Sequence, residues 1–523
     1  MRYNELNLMT PEQRLVSWWR NLDSRVKLTF FAAVLWGLVC HGMMLTNKYS
    51  AHDDVAFMHT VGATFDSGRW MLGLLSLAEQ ALTGGSHYSM PLPHGLISLG
   101  CLALWAALMV SLFRIRSGVL CAALGGALVA FPGVASLFGF MFTAPYYMAA
   151  LLATALAAWV LCRRRSIPAW CLSVVMLACA MGVYQAYIPV AIGMLLLHFL
   201  LERLDRPGDD WAYTLKTAFY YGSALLASVV AYYIVSKVFL KIYDLQLNNY
   251  QGINKMGREG MAVYLSRVLL AYRAFFFPEQ IQRASIAFVV MGLELPWKIL
   301  LALDGVLLAV LILRAWKESR WKALQLAAVS ALLPLAMGFI YVMGPDVHTL
   351  MISGQCLVFA ATAALVQRMG MDKKLLLRLV SLALCLLLVL FPLMWCRYDN
   401  AMYMDLEISQ QRTISWFNTL ITRIKSAEGY RDELPIAYIG RMEKSDLTLG
   451  DVSRIQYIWP YENATDLIND AAQIQFMDKW CGFWQQMTEF DHPDIETMPC
   501  YPDDGSIRII DDVIVVKFQP VSE

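Results

Sequence analysis

The sequence has little charge for its length. Only 16% of its 523 residues are Asp, Glu, Lys or Arg, whereas 58% are apolar. Soluble domains are about 25% charged and about 45–50% apolar, so the composition argues against a purely soluble protein. The sequence also lacks a zinc-type Cys/His spacing, a P-loop, a dinucleotide-binding glycine pattern and a G-x-S-x-G elbow. These absences disfavour ATP-driven transport by this chain alone, and no motif requires a cofactor or metal.

The net charge of +1 conceals two unlike parts. Up to Trp395 the chain has 31 Lys and Arg against 19 Asp and Glu, and after it 11 against 22. Neither part combines high solubility with a dense basic run, so we expect no nucleic-acid partner. The split predicts a membrane domain over residues 1–395 and a water-facing domain over residues 396–523.

Apolar windows of about 20 residues, long enough to cross a bilayer, recur along the first part. If the N-terminus is cytoplasmic, eleven spans put 21 of the 31 basic residues inside, as the positive-inside rule requires. Merging the fifth and sixth windows would give ten spans and move later basic loops outside, so eleven is preferred and the C-terminal domain is extracytoplasmic. The windows lie near residues 28–45, 95–113, 118–138, 146–162, 169–183, 188–201, 217–235, 297–313, 323–343, 350–366 and 375–395.

The first external connection, residues 46–94, contains Asp53 and Asp54 just beyond the first span. A carboxylate near lipid can have its pKa raised toward that of a general base, so either could take a proton from a substrate hydroxyl. The alternative is an N-cap for a short interfacial helix predicted from Val55 to Phe65. Both interpretations stay open at this point.

Basic residues in the external connections are candidates for binding phosphate. Arg69 can hold a phosphate bidentately or pair with Asp66. In the second long connection, residues 236–296, a helix from Ala262 to Phe277 would bring Arg267 and Arg273 to the interface, where they suit an anionic lipid headgroup. Snorkelling that anchors the helix explains any one of them equally well.

Several polar residues at outer span ends are predicted to line one cavity. These are His52, Tyr184, Gln185, Asp346 and His348.

Other polar residues have a structural interpretation beside a functional one. Asp304 lies mid-span, where a charge is costly unless it faces a partner, and the functional and structural readings are equally supported. His41 is predicted to be a satisfied interior histidine. A disulfide between Cys481 and Cys500 is compatible with an oxidising compartment but cannot be deduced from spacing.

The last part reads as a small α/β domain. We predict a helix over about Asp405 to Ser426, a strand from Pro435 to Gly440, and a hairpin of Ser506 to Ile510 with Val513 to Phe518.

Taken in order, these features resemble the bacterial type II O-antigen glucosyltransferase family. The resemblance rests on residues 47–54 ending in Asp-Asp, on Gly68-Arg69-Trp70, on Tyr184-Gln185 at a later outer boundary, and on the tail segment Pro-Ile-Ala-Tyr-Ile-Gly. It covers most of the chain, and the order and membrane placement of the motifs carry it, since each motif is short.

The resemblance implies a C-type glycosyltransferase fold in the bacterial cytoplasmic membrane. Such enzymes move a sugar, here expected to be glucose, from a polyprenyl-phosphate carrier to a polysaccharide or lipid-linked glycan at the outer face, so membrane lipids are partners and no nucleotide-sugar site is needed. Carried over, Asp53 or Asp54 deprotonates the acceptor hydroxyl, and the leaving phosphate is stabilised by Arg69 with one of Arg258, Arg267 and Arg273.

Two other functions fit the same features. A flippase or exporter of lipid-linked saccharides would also need basic and aromatic residues near headgroups, but should have several intramembrane charges or internal repeats. A polysaccharide polymerase or ligase shares the outer-face chemistry and differs mainly in the size of its donor.

Overall fold

The computed structural model describes residues 10–49, 53–208, 210–248, 259–281, 292–344, 346–369, 374–440 and 473–520. Over these residues the protein is mainly helical, with one small sheet near the C-terminus. The helices are α1 (Pro11–Asn21), α2 (Ser24–Thr46), α3 (Asp53–Ala56), α4 (Trp70–Thr83), α5 (Pro91–Phe113), α6 (Gly118–Val129), α7 (Pro132–Phe138), α8 (Ala144–Arg163), α9 (Ile167–Val183), α10 (Ile188–Asp205), α11 (Trp211–Ile242), α12 (Met261–Phe276), α13 (Glu294–Glu318), α14 (Arg320–Met337), α15 (Ile340–Met343), α16 (Leu357–Met369), α17 (Leu375–Lys425), α18 (Gln473–Cys481) and α19 (Asp494–Thr497).

The helices make the chain a multi-pass membrane protein. Among the described residues, seven helices are long and apolar enough to cross a bilayer, and the pair α6 and α7, bent by 44°, raises the number to eight. The other three predicted spans fall on shorter helical segments, α9, α14 and α16. Large apolar side chains on the outer faces are exposed, as expected where lipid replaces water: Phe31, Phe219, Leu226 and Leu386.

The N-terminal half of the bundle packs tightly. Helix α2 packs against α5, α6 and α17, and α8 packs against α5 and α9. At Gly125 on α6, an added Cβ would lie 3.1 Å from the backbone oxygen of Thr29 on α2. Small residues allow such close helix contacts in membranes, where dispersion rather than hydrophobicity drives packing.

Helix α17 corrects one prediction. A separate tail helix was expected from Asp405, but the last span and the tail helix form one helix of 51 residues. Residues 396–425 contain neither glycine nor proline, so nothing in the sequence stops the helix where hydropathy falls. The predicted boundary after Trp395 therefore lies inside a continuous helix that links the membrane domain to the C-terminal domain.

The C-terminal domain contains the predicted strands. Strands β1 (Ile436–Ile439), β2 (Ile507–Ile510) and β3 (Val513–Lys517) form a sheet of order β1-β3-β2, with β1 parallel and β2 antiparallel to β3. Asp511 and Asp512 both have positive φ, as the two central residues of a type I′ hairpin turn require. Cys481 and Cys500 are separate thiols, so the compatible disulfide is not formed in this structure.

Candidate functional site

The connection between α2 and α5 holds a buried ion pair at Asp54. Its carboxylate is fully buried and pairs with the Lys48 ammonium. The Ser89 hydroxyl donates to the other carboxylate oxygen at 2.7 Å, and Lys48 also donates to that hydroxyl at 2.8 Å. Because buried polar groups need such compensation, Lys48 and Ser89 hold the Asp54 carboxylate in place.

Asp53 and Asp54 begin α3, which is much shorter than predicted. The expected helix from Val55 to Phe65 ends at Ala56 and gives way to turns, in which Gly62 has φ +72°. A positive φ at Gly62 is incompatible with a helix that continues to Phe65, although the helix has already ended at Ala56. Asp53 at the start of the helix is half-buried, whereas Asp54 is enclosed.

The C-terminal domain contacts the same short helix. Lys479 on α18 donates to the backbone oxygen of Val55 at 2.8 Å. Burial is the main cause that lowers the pKa of Lys479, opposed in part by the charges of Asp478 and Asp54. The Tyr49 hydroxyl donates to Glu407 on α17 at 3.2 Å. These contacts fix the tail against the Asp-Asp segment.

The turn that carries Arg69 is held by residues from two other helices. Gly68 has φ +72°, and its backbone oxygen accepts the Tyr232 hydroxyl at 3.2 Å. Gln185 donates to that hydroxyl at 2.8 Å and to the Ser67 oxygen at 3.2 Å. The Gly-Arg-Trp motif and the Tyr-Gln motif, far apart in sequence, therefore lie together.

Aromatic rings complete the environment of this turn. The Arg69 guanidinium lies 5.9 Å from the centre of the Tyr184 ring, within the range of a cation–π contact. Tyr184 stacks on Tyr147 at 4.6 Å, and Trp70 stacks on Phe239 at 6.0 Å. Aromatic rings therefore pack around the turn that carries Arg69 and help to orient its side chain.

The connection between α11 and α13 has the predicted helix, α12, whose arginines lie in different environments. Arg267 is buried and bidentate to Glu259, at 2.5 and 2.8 Å. Arg273 is exposed and donates to Gln280 at 2.7 Å. Arg258 lies outside the described residues, as does His52 of the proposed cavity.

The remaining predicted polar residues differ in burial. Asp346 is exposed and His348 is half-buried next to a short helical turn, Thr349–Met351. Asp304 is buried mid-span and accepts the Thr362 hydroxyl.

The histidine expected to be interior is satisfied at both nitrogens. His41 contacts the Tyr403 hydroxyl at 2.8 Å through Nδ1 and the Val129 backbone oxygen at 3.1 Å through Nε2. Its side chain therefore has a structural role in the bundle.

Sequence reasoning missed a second buried cluster in the first connection. His87 Nδ1 lies 2.7 Å from Glu79, which also accepts the Tyr146 hydroxyl. Burial would raise the pKa of Glu79, but these two hydrogen bonds lower it below its ordinary value. The available sequence signal was three residues, Glu79, His87 and His94, within a segment that has no other Asp, Glu, Lys, Arg or His. No described group of three or more His, Cys, Asp and Glu side chains could hold a metal ion.

The fold and these contacts define the class of the protein, a multi-pass membrane protein with a cluster of polar side chains. The cluster lies where the segments after α2 and after α9 contact the start of α8. Within that class, the chain belongs to the Glucosyl transferase GtrII family, whose model matches residues 42–366, more than half of the chain. This confirms the resemblance found in the sequence. Membership implies an enzyme that transfers a glucosyl group to O-antigen. Comparisons with curated proteins and with solved structures gave no match.

Proposed function

We propose that the protein transfers glucose from a polyprenyl-phosphate carrier to a hydroxyl of a cell-surface polysaccharide at the outer face of the bacterial cytoplasmic membrane. Family membership supports the glucosyl transfer. The absence of a nucleotide-binding motif in the sequence favours a lipid-linked donor, which a membrane protein can take directly from the bilayer. The observation that carries the proposal is the meeting of the Gly68-Arg69 turn with Gln185 and Tyr184.

We infer different roles for the two aspartates. Asp54 is enclosed by Lys48 and Ser89, so a substrate hydroxyl has no direct route to its oxygens. Asp53 is the adjacent, partly accessible carboxylate and is the better candidate for the base. Asp54 then acts as a positioning residue that fixes the start of α3.

Arg69 is the first candidate to stabilise the departing phosphate. Its guanidinium can bind two phosphate oxygens, and negative charge on the leaving oxygen increases in the transition state, which makes such a contact catalytic. A second contact is expected from Arg258, Arg267 or Arg273. The exposed Arg273 is better suited to reach a headgroup than Arg267, which Glu259 already engages.

The proposed orientation has eleven crossings, a cytoplasmic N-terminus and an external C-terminal domain. Helical segments occur at all eleven predicted positions, and the basic residues favour this direction. Alkaline phosphatase fused after Glu523 should be active, and a green fluorescent protein fused there should be dark. The reverse result would contradict the orientation without bearing on the chemistry.

A transfer assay distinguishes the candidate functions. Purified protein in lipid nanodiscs is supplied with polyprenyl-phosphate-glucose or a diphosphate-linked chain, together with polysaccharide acceptor, and the product is read by mass. Addition of single hexoses supports the proposal, and use of only diphosphate-linked chains supports a polymerase or ligase. Translocation in vesicles without transfer supports a flippase.

The assay also separates the aspartates when it is combined with thermal unfolding. Asp53→Asn should abolish transfer and leave Tm unchanged. Asp54→Asn should also lower Tm, because Lys48 loses its buried counter-charge. The control is Asp244→Asn, at an exposed aspartate in the second external connection. Full transfer by the Asp53 variant would remove it as the base.

The role of Arg69 needs its own comparison. Arg69→Lys keeps the charge but loses bidentate binding, so donor KM should rise and kcat should fall. Arg69→Ala, which also removes the charge, should raise the donor KM and lower kcat further. Unchanged donor dependence in both variants would assign Arg69 to structure.

A further inference from the structure

The Glu79–His87 pair lies in the first external connection and is not used by the roles assigned above. Glu79 is on α4, His87 follows in the extended segment before α5, and Tyr146 is at the start of α8. His87 is 1% exposed, and its Nδ1 lies 2.7 Å from the Glu79 carboxylate, which the Tyr146 hydroxyl also contacts.

These contacts define the protonation of the imidazole ring. A carboxylate can only accept, so His87 Nδ1 must carry the hydrogen that it donates to Glu79. In the neutral ring the other nitrogen, Nε2, then has a free lone pair. Nε2 is buried and has no hydrogen-bond partner among the described residues. A histidine that acts as a base has this arrangement: one ring nitrogen donates to a carboxylate, and the other is left to accept a proton.

Another histidine in the same chain shows what a structural role looks like. Both nitrogens of His41 have partners, the Tyr403 hydroxyl and the Val129 oxygen. Buried polar atoms in folded proteins are normally satisfied in this way. His87 differs because only one nitrogen is satisfied, which points to a proton or ligand for the other.

The pair belongs to the same polar region as Asp54. Ser89, two residues beyond His87, donates its hydroxyl to Asp54 at 2.7 Å. The His87 ring stacks on His94 at 5.5 Å, and His94 lies within electrostatic range of Lys48. The titratable groups that contact His87 are therefore Glu79, Tyr146 and His94, and Lys48 lies beyond His94.

We propose that His87 Nε2 accepts and holds the proton released during glucosyl transfer, with Glu79 as the positioning residue that fixes its tautomer and balances its charge. This inference rests on the proposed function. As the C1–phosphate bond breaks and the phosphate leaves with the electron pair, the acceptor oxygen bonds to C1. The acceptor proton passes first to Asp53. Because Nε2 has no hydrogen-bond partner among the described residues, water must carry the proton from Asp53 to Nε2, and the proton leaves to water after the product dissociates.

The arrangement predicts a specific pH dependence. His87 must be neutral to accept a proton, so transfer should fall on the acid side as the imidazole becomes protonated. Glu79→Gln removes the negative charge that stabilises the imidazolium, so the acid limb should move to lower pH by about one unit. His87→Gln should remove that limb and lower kcat by about 100-fold, while donor KM stays unchanged.

The test measures pH–rate profiles of the full-length protein in nanodiscs with polyprenyl-phosphate-glucose, with His492→Gln in the C-terminal domain as the matched control. Wild-type kcat in the His87 variant would overturn the proposal. So would an unmoved acid limb in the Glu79 variant, since a purely structural pair would lower activity without shifting the profile.

A second measurement requires no substrate, so it separates failure of this inference from failure of the proposed function. The chain has only eight histidines, and 15N-histidine NMR assigns His87 by the signal lost in the Gln variant. The expected state at neutral pH is hydrogen on Nδ1 and a bare Nε2 that titrates. Hydrogen on Nε2, or no titration, would overturn the proposal even if wild-type protein transfers glucose.

Discussion

Replacing Gly68 with alanine should displace the turn that carries Arg69. Gly68 has φ +72°, which costs alanine about 1–2 kcal/mol. The added Cβ would also lie 2.6 Å from the Tyr232 hydroxyl and 3.2 Å from Gln185 Nε2. Moving those groups disrupts two hydrogen bonds, worth about 1 kcal/mol each. We therefore expect a loss of about 3–4 kcal/mol and, because Arg69 moves from Tyr184, a large loss of transfer.

The chain provides a matched control for this substitution. Gly84 ends α4 with φ +68°, and its added Cβ would meet nothing within 4 Å. Gly84→Ala should therefore lower the free energy of unfolding only by the cost of the backbone conformation, about 1–2 kcal/mol, and should leave the transfer activity unchanged. Thermal unfolding in nanodiscs and the transfer rate from polyprenyl-phosphate-glucose are the two measurements.

A double substitution identifies the cause. Tyr232→Phe removes the hydroxyl nearest the new methyl group, so it should destabilise the alanine variant less than it destabilises wild type. A coupling of about 1 kcal/mol between positions 68 and 232 is expected for groups in contact. The reasoning would be refuted if Gly68→Ala matched Gly84→Ala in both Tm and transfer, or if the two changes were additive.

Three further outcomes follow from described contacts. Lys479→Met removes the donor to the Val55 oxygen, so the protection of the α3 amides against hydrogen exchange should fall by about 1–2 kcal/mol, as measured by mass spectrometry. Unchanged exchange would contradict the contact between α18 and α3. The pKa of Glu79 is lower in the folded protein than its ordinary value of 4.5, so the ionised side chain stabilises the fold at pH values above 4.5. This stabilisation is lost as the pH falls through the folded-state pKa, so Tm should depend less on pH in that acid range in Glu79→Gln. Asp304→Leu should change the transfer rate by no more than about twofold and should keep or raise Tm. The reason is that this mid-span carboxyl has Thr362 as its described donor, and burial of an incompletely paired polar group costs about 1–3 kcal/mol. Lost transfer at unchanged Tm would instead give Asp304 a functional role.

Features that depend on local sequence were predictable. Apolar length located the helices of the membrane domain, because a bilayer requires every backbone group to be paired within the segment. The Asp511-Asp512 pair between two apolar runs predicted the hairpin, since aspartate tolerates the left-handed conformation that this turn requires. The prediction of a helix over residues 55–65 was wrong, because the pattern of apolar residues does not show that the helix ends at Ala56.

Contacts between distant segments were not predictable in the same way. Lys48 and Ser89 meet at Asp54, and Tyr146 reaches Glu79, yet no periodicity connects these positions. Lys48 was one of only two basic residues in the first connection. A lone lysine beside two aspartates at the edge of lipid was the available sign that one carboxylate would be buried and paired.

The start of α8 is the link between the two parts of the candidate site. Tyr146 donates to Glu79 on the proton-accepting side, and its neighbour Tyr147 stacks on Tyr184 beside Arg69. Adjacent residues of one helix are fixed relative to each other by its backbone, so the side chains proposed to accept the proton and to bind the phosphate share a rigid support. In the proposed reaction the acceptor oxygen loses its proton as it bonds to the carbon that the phosphate leaves. A shared rigid support would keep the two groups in place without reorganisation during the reaction.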